Sequence, residues 1–295
     1  MGLKIWLGEG LVDEADAKVS VFDHGLLYGD GVFEGIRVYN HNIFELDAHM
    51  DRLYESAHAI RLEIPMDKDA LVAATQKTVD ANSVCNGYIR LVVTRGVGTL
   101  GLNPFVCERG MIIIIASNIQ LYPEELYEKG MKIISASTMR NHPQALPPRI
   151  KSLNYLNNIL AKMEALDSNV MEAVMYNHSG FVAEATGDNV FIVRRDVVCT
   201  PPVSAGSLEG ITRNVVMRLA QAEGIEAMEK NLTRADLYIA DEIFLTGTAA
   251  EVIGIVDLDG RTIGDGTPGP ITRLLRKKFF DYAHGASLSQ KHSSA

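Results

Sequence analysis

The chain has one tryptophan and three cysteines in 295 residues. Cys85, Cys107 and Cys199 stand apart, with no CxxC pair and no metal-ligand spacing. A disulfide framework and a thiolate metal centre are therefore not expected, no metal is anticipated, and a reducing, cytoplasmic setting is the simplest reading. Long apolar runs are missing too. Met111–Ala116 is the longest, far too short for a bilayer, so no membrane role is expected. The opening MGLKIWLGEG lacks the apolar stretch and small-residue cleavage site of a signal peptide. Basic clusters are also absent. With 28 Lys and Arg against 37 Asp and Glu, the formal net charge is -9, and no nucleic-acid surface is expected. What remains is ordinary for a soluble globular protein, 47% hydrophobic and 22% charged, with enough length for two modest domains.

Periodicity predicts an α/β (α+β) chain. Asp30–Tyr39 reads as a strand ending in a turn at Asn40–Asn42. Leu46, His49, Met50, Leu53, Ala57 and Ile60 then repeat on one helical face, with Asp47 as the expected N-cap. A second helix is expected over 67–81, and strands over 87–94 and 111–117. These elements suggest an N-terminal α/β domain over 1–117, a linker over 118–128 and a larger C-terminal domain over 129–295. In the latter, a strand over 131–137 precedes a loop, 141–148, that holds three prolines. Helices are expected over 152–166, 210–223 and 271–282, with Pro270 suited to a first helical turn. Strands are expected over 170–176, 181–184, 189–193 and 240–246. The tail after Gly285 is small and polar and is expected to fray.

Several residues invite chemistry. Lys151 lies between a proline-rich loop and the helix expected after it. A lysine pinned there can lose its proton and attack a carbonyl, although taken alone it also suits a solvated surface. Tyr155 follows four residues later and so returns to the same side at the start of that helix. Glu184 sits among small residues, where a carboxylate approaches a ligand closely or simply serves a turn. Gly210 precedes an amphipathic helix, leaving the amides of Ile211 and Thr212 for an anion or a plain cap. Thr248 and Ala249 follow a strand in a similarly small-residue setting. Arg52 lies at the edge of its helix stripe, where it reaches a phosphate or solvent. Tyr88 and Arg90 share one strand face and can orient carboxylates. Together these provide a Schiff-base lysine, a phenol for O3', a carboxylate for a ring nitrogen and donors for a phosphate. Pyridoxal 5'-phosphate (PLP) needs that set.

The motifs, in order, resemble class IV aminotransferases, the fold-type IV PLP enzymes, and most closely branched-chain amino acid aminotransferases. They are DHGLLYGDGVFEGIR at Asp23–Arg37, YIR at Tyr88–Arg90, IKSLNYLNN at Ile150–Asn158, EATGDNVF at Glu184–Phe191, EGITR at Glu209–Arg213 and TGTAAE at Thr246–Glu251. The resemblance implies a two-domain fold with the cofactor between the domains, and a homodimer or dimer-based oligomer. It implies that Lys151 carries PLP, Tyr155 touches O3' and Glu184 pairs with the ring nitrogen. Arg52, Gly210, Ile211, Thr212 and Thr248 would hold the phosphate, with Leu208 packing on the ring. Phe33, Gly35, Tyr88 and Arg90 would line the substrate pocket, and Tyr28 would enter the neighbouring subunit's site. Arg90 with Tyr28 would receive the side-chain carboxylate of glutamate, and Tyr88 with the amides near Thr248 and Ala249 the α-carboxylate. The implied reaction moves the amino group of L-leucine, L-isoleucine or L-valine to 2-oxoglutarate. A D-amino-acid aminotransferase is the nearest rival, since TRG at Thr94–Gly96 resembles its motif. The Arg-x-His pair that should follow is replaced by VGTLGL. An (R)-amine transaminase and a non-catalytic phosphate-ligand binder are the remaining alternatives.

Overall fold

The computed structural model describes residues 2–118 and 122–285. It divides into two compact units, Met1–Gln120 with Ile150–Tyr155, and Leu121–Arg149 with Leu156–Ala295. In the first, β1 (Lys4–Leu7) and β2 (Gly10–Asp13) form a hairpin, α1 (His24–Tyr28) is a short turn of helix, and β3 (Gly31–Tyr39) leads through β4 (Asn42–Ile43) to α2 (Leu46–Ala59). Then come α3 (Lys68–Ala81), β5 (Gly87–Thr94) and β6 (Met111–Asn118). The six strands make one antiparallel sheet in the order β2-β1-β6-β5-β3-β4.

Strand alternation decides which face is core. Val32, Ile36 and Val38 of β3 and Ile89, Leu91 and Val93 of β5 pack with Met50 and Leu53 of α2 and Leu71 of α3. The other parity puts Phe33 and Gly35 beside Tyr88 and Arg90 on the opposite face, since Gly35 pairs with Arg90 and Arg37 with Tyr88. α3 is capped by the Asp67 side chain, which accepts from the Ala70 amide. The cap expected at Asp47 is not one. Glu45 holds that position in a left-handed conformation, with no side-chain cap, and Asp47 lies inside the first turn.

The expected helix over 152–166 begins only at Leu156. The residues before it are extended along β3. The Phe33 amide donates to the Lys151 carbonyl at 3.0 Å, the Leu153 amide to the Gly31 carbonyl at 3.0 Å, and Ser152 bridges Val32. Backbone groups at a sheet edge need partners, and the segment's pairing with β3 overrides its local preference for helix.

The second unit opens with α4 (Glu124–Lys129), a helix where only a linker was expected, and β7 (Met131–Ser135). Residues 119–121 of that linker, and the tail 286–295, lie outside the described residues. α5 (Leu156–Asp167), β8 (Glu172–Tyr176), β9 (Val182–Ala185), β10 (Asn189–Arg194) and β11 (Val197–Thr200) follow. After them come α6 (Ile211–Ala222), β12 (Ala227–Glu229), α7 (Arg234–Tyr238), β13 (Glu242–Gly247), β14 (Glu251–Leu258), β15 (Arg261–Thr262) and α8 (Pro270–Ala283). The described strands form a mixed sheet, β12-β11-β10-β13-β14-β7-β8-β9, with β15 on β14. Val190, Ile192, Ile243, Leu245, Ile253 and Ile255 fill its centre. α6 buries Thr212, Val215, Val216, Leu219 and Ala220, the spacing of an amphipathic helix on a sheet. Among the described residues no helix is long and apolar enough to cross a membrane.

Candidate active site

In the first unit, Lys151 is fixed from two sides. Its carbonyl accepts from Phe33, and its amide donates to the Ser56 hydroxyl of α2 at 3.2 Å. With the backbone held there, the Lys151 amine lies 3.1 Å from the Tyr155 hydroxyl. The two side chains meet across a bent, non-helical segment, not across one helical turn as the spacing suggested. The amine also stands 4.6 Å from the centroid of the Phe33 ring, which meets Tyr155 edge-on at 5.0 Å. Arg90 approaches the same ring from β5, 4.5 Å from its centroid. Tyr88 lies across Gly35, where any Cβ would collide with its hydroxyl. Burial pushes the Tyr88 phenol above its ordinary pKa, against the pull of Arg90. These residues form one cluster on the sheet face opposite the helices. The Tyr28 phenol instead accepts from the Gly101 amide at 2.9 Å, and its ring packs edge-on against His24.

On the helix-covered face, Arg52 is buried and not at the surface. Its Nε and Nη2 donate to the two oxygens of Glu34 at 2.8 and 2.7 Å, and His49 Nδ1 meets Glu34 Oε2 at 2.7 Å. Burial opposes ionisation of Glu34. The charges and hydrogen bonds of Arg52 and His49 together outweigh it and hold the carboxyl down to about 2. Burial lowers the His49 pKa, against the pull of Glu34 and helped by the charges of Arg52 and Lys151. A neutral His49 donates through Nδ1, and its buried Nε2 has no hydrogen-bond partner. The sequence placed His49 on the inward face of its helix, where it is buried, but gave neither His49 nor Glu34 a chemical role. The signal was there: Glu34 shares the core parity of Val32 and Ile36, so a carboxylate had to be buried and neutralised.

In the second unit, Glu184 is 5% exposed and Arg140 also 5%. Arg140 Nε donates to Glu184 Oε1 at 2.8 Å, and the Leu208 amide to Oε2 at 2.8 Å. Arg140 is tethered in turn by Asn157 at 2.9 Å. Nothing in the sequence marked Arg140, which lies in a segment without regular periodicity. Gly210 is the N-cap of α6, with no side-chain cap for the first turn of Ile211 and Thr212. A side chain at Gly210 would collide with Asn189, whose amide also donates to the Leu208 carbonyl at 2.9 Å. Thr248 and Ala249 are half-buried in the turn between β13 and β14. The hydroxyls of Ser207 and Thr246 are buried without a partner. No group of three or more His, Cys, Asp or Glu side chains able to hold a metal occurs among the described residues.

Comparison with known proteins places this arrangement. The family model for amino-transferase class IV matches residues 31–258. The chain belongs to the class IV aminotransferases. This class IV aminotransferase is 50% identical over 279 residues to the putative branched-chain-amino-acid aminotransferase of Methanocaldococcus jannaschii, covering 95% of this chain and 96% of that one. It is 42% identical over 286 residues to the branched-chain-amino-acid aminotransferase of Pseudomonas aeruginosa, with 95% and 93% covered. The crystal structure of the T.th. branched-chain amino acid aminotransferase with pyridoxamine 5'-phosphate superposes with a TM-score of 0.93 at 38% identity, covering 97% of this chain and 95% of that one. The expected mixed α/β fold is therefore the fold of the solved family members.

Proposed function

We propose that the chain is a PLP-dependent branched-chain amino acid aminotransferase, moving the amino group of L-leucine, L-isoleucine or L-valine to 2-oxoglutarate. The observation that carries this reading is Lys151, its backbone tied to β3 and α2 and its amine 3.1 Å from the Tyr155 phenol. The names of its relatives support the substrate class.

The residues fit the cofactor. The uncapped N-terminus of α6 offers amides to an anion, and the buried Ser207 and Thr246 hydroxyls still lack partners. Glu184 receives one donor on each oxygen and keeps a lone pair on each for a ring nitrogen. When bound, PLP supplies an electron sink for the bond between substrate Cα and its hydrogen. Lys151 would hold it covalently through Nζ, Tyr155 would donate to O3' and Glu184 would keep the ring nitrogen protonated. Ile211, Thr212 and Thr248 would hold the phosphate, joined by Arg52 from its pairing with Glu34; Gly210 would permit its close approach, and Leu208 would pack on the ring.

With substrate in place, the Lys151 amine would serve as the general base that takes the proton from substrate Cα and then as the acid that gives it up. Tyr155, at hydrogen-bond distance, keeps that amine in place. Phe33 and Gly35 supply an apolar wall. Tyr88 and the amides at Thr248 and Ala249 receive the α-carboxylate, and Arg90 with Tyr28 the side-chain carboxylate of glutamate. Tyr28 serves the site of a second copy in a homodimer or dimer-based oligomer. Exposed Phe22, Leu26, Leu100, Leu102 and Phe105 support such an assembly.

Borohydride reduction of the PLP-loaded protein, with peptide mass mapping, tests the anchor. The expected adduct is on Lys151, and an adduct elsewhere or none would overturn the assignment. A half-reaction survey with L-leucine, L-glutamate, D-alanine and (R)-1-phenylethylamine tests the substrate. L-leucine and L-glutamate are expected to discharge the bound cofactor, and discharge by D-alanine but not L-leucine would refute the branched-chain reading.

A further inference from the structure

Arg90 is a cation with an unusual resting place. Among the described residues it has no carboxylate partner, yet its guanidinium carbon lies 4.5 Å from the Phe33 ring centroid and 5.4 Å from that of Tyr88. Both rings are held. Phe33 is 8% exposed, with Tyr155 against its edge. Tyr88 lies over Gly35, the one residue type that leaves room for it. Lys151 takes the Phe33 ring from the other flank of β3, which leaves Arg90 the β5 side.

We infer that Phe33 is a specificity-determining residue: its ring face parks the Arg90 guanidinium while an apolar side chain occupies the pocket and releases it to the side-chain carboxylate of a dicarboxylic substrate. This rests on the proposed transaminase reading. One pocket must accept both leucine and glutamate. An unpaired guanidinium facing a leucine side chain would lose hydration with nothing in return. A ring quadrupole offsets that loss by cation–π attraction and has no net charge of its own to compete with an incoming carboxylate. A carboxylate forms charge-assisted, bidentate hydrogen bonds that exceed the ring contact and draw Arg90 away. The aromatic cradle therefore stabilises the apolar complex selectively, and the arginine's charge stays available for the acidic one.

The test measures kcat/KM for L-leucine and L-glutamate in the PLP-loaded enzyme. Phe33→Leu is expected to lower the leucine-to-glutamate ratio about fivefold, which is about 1 kcal/mol and within the range of a desolvated cation–π contact. Phe33→Tyr, which keeps the ring face, is expected to restore the ratio. Arg90→Met is expected to reduce the glutamate reaction selectively. Equal losses on both substrates in Phe33→Leu, with Arg90→Met still selective, would overturn the parking role and leave the transaminase reading intact. Equal losses in Arg90→Met would instead remove the dicarboxylate contact on which the inference rests. A direct readout is the Arg90 Nε–H resonance, expected upfield from the Phe33 ring current. It should move downfield with glutarate and stay put with 4-methylpentanoate. No movement with glutarate would also overturn the inference.

Discussion

Arg52→Met gives the most demanding test of the buried charge cluster. Glu34 is 0% exposed, and both its oxygens are occupied by Arg52. Removing the guanidinium strands a carboxylate inside the core. The Glu34 carboxyl is held down from an ordinary 4.5 to about 2, which corresponds to about 3 kcal/mol at neutral pH. Breaking a buried pair from one side costs about 3–5 kcal/mol in measured cases. With a urea dependence of about 2 kcal/mol per molar, the midpoint should fall by about 1.5–2.5 M. The readout is intrinsic: Trp6 is the chain's one tryptophan and is buried in the first unit's core. The cofactor-free protein should be used, so that altered phosphate binding does not enter the balance. Glu34→Leu/Arg52→Met should then be less destabilised than Arg52→Met alone, because both charges leave together. If the double variant is as unstable as the sum of the two single ones, the paired-charge account is wrong. Acid adds an independent check. Glu34 has a depressed folded pKa, so its contribution is present above pH 4.5 and is lost as pH falls from there through about 2. His49 is also depressed, so only the unfolded chain takes its proton as pH falls below 6.5, and that loss begins earlier. Glu34→Gln should abolish the lower step and keep the upper one.

Two further outcomes follow from the geometry around Lys151. Gly35→Ala puts a Cβ against the Tyr88 hydroxyl and should raise KM for amino acids about tenfold or more, with little change in the Trp6 unfolding midpoint. An unchanged KM would show that Tyr88 has no part in binding. Tyr155→Phe removes the hydroxyl 3.1 Å from the lysine amine. It should cut kcat by about 10–100-fold, in the range of a lost hydrogen bond to a charged group. It should also move the absorbance of the bound cofactor. Wild-type spectra and rates in that variant would exclude the phenol from the site.

Sequence order alone carried the family. Six short motifs spread from Asp23 to Glu251 have little freedom to recur together, and helix and strand periodicities located most of the elements that bear them. Gly210 before α6 was legible because capping is local chemistry, confined to one turn. The parity of β5, with Tyr88 and Arg90 on one face, was legible because side chains on a strand alternate. What failed was set by distant partners. Lys151–Tyr155 is extended, not helical, because β3 offers its edge to a segment more than a hundred residues away. The helix stripe alone puts Arg52 near solvent, because it shows burial but not the buried carboxylate across from it. Arg140 was invisible because its importance lies wholly in Glu184, 44 residues on. The sequence determined which chemical groups the protein possesses and in what order. Only the tertiary structure decided which charges neutralise one another and where Arg90 rests, because those choices depend on through-space Coulomb and packing terms that no local pattern contains.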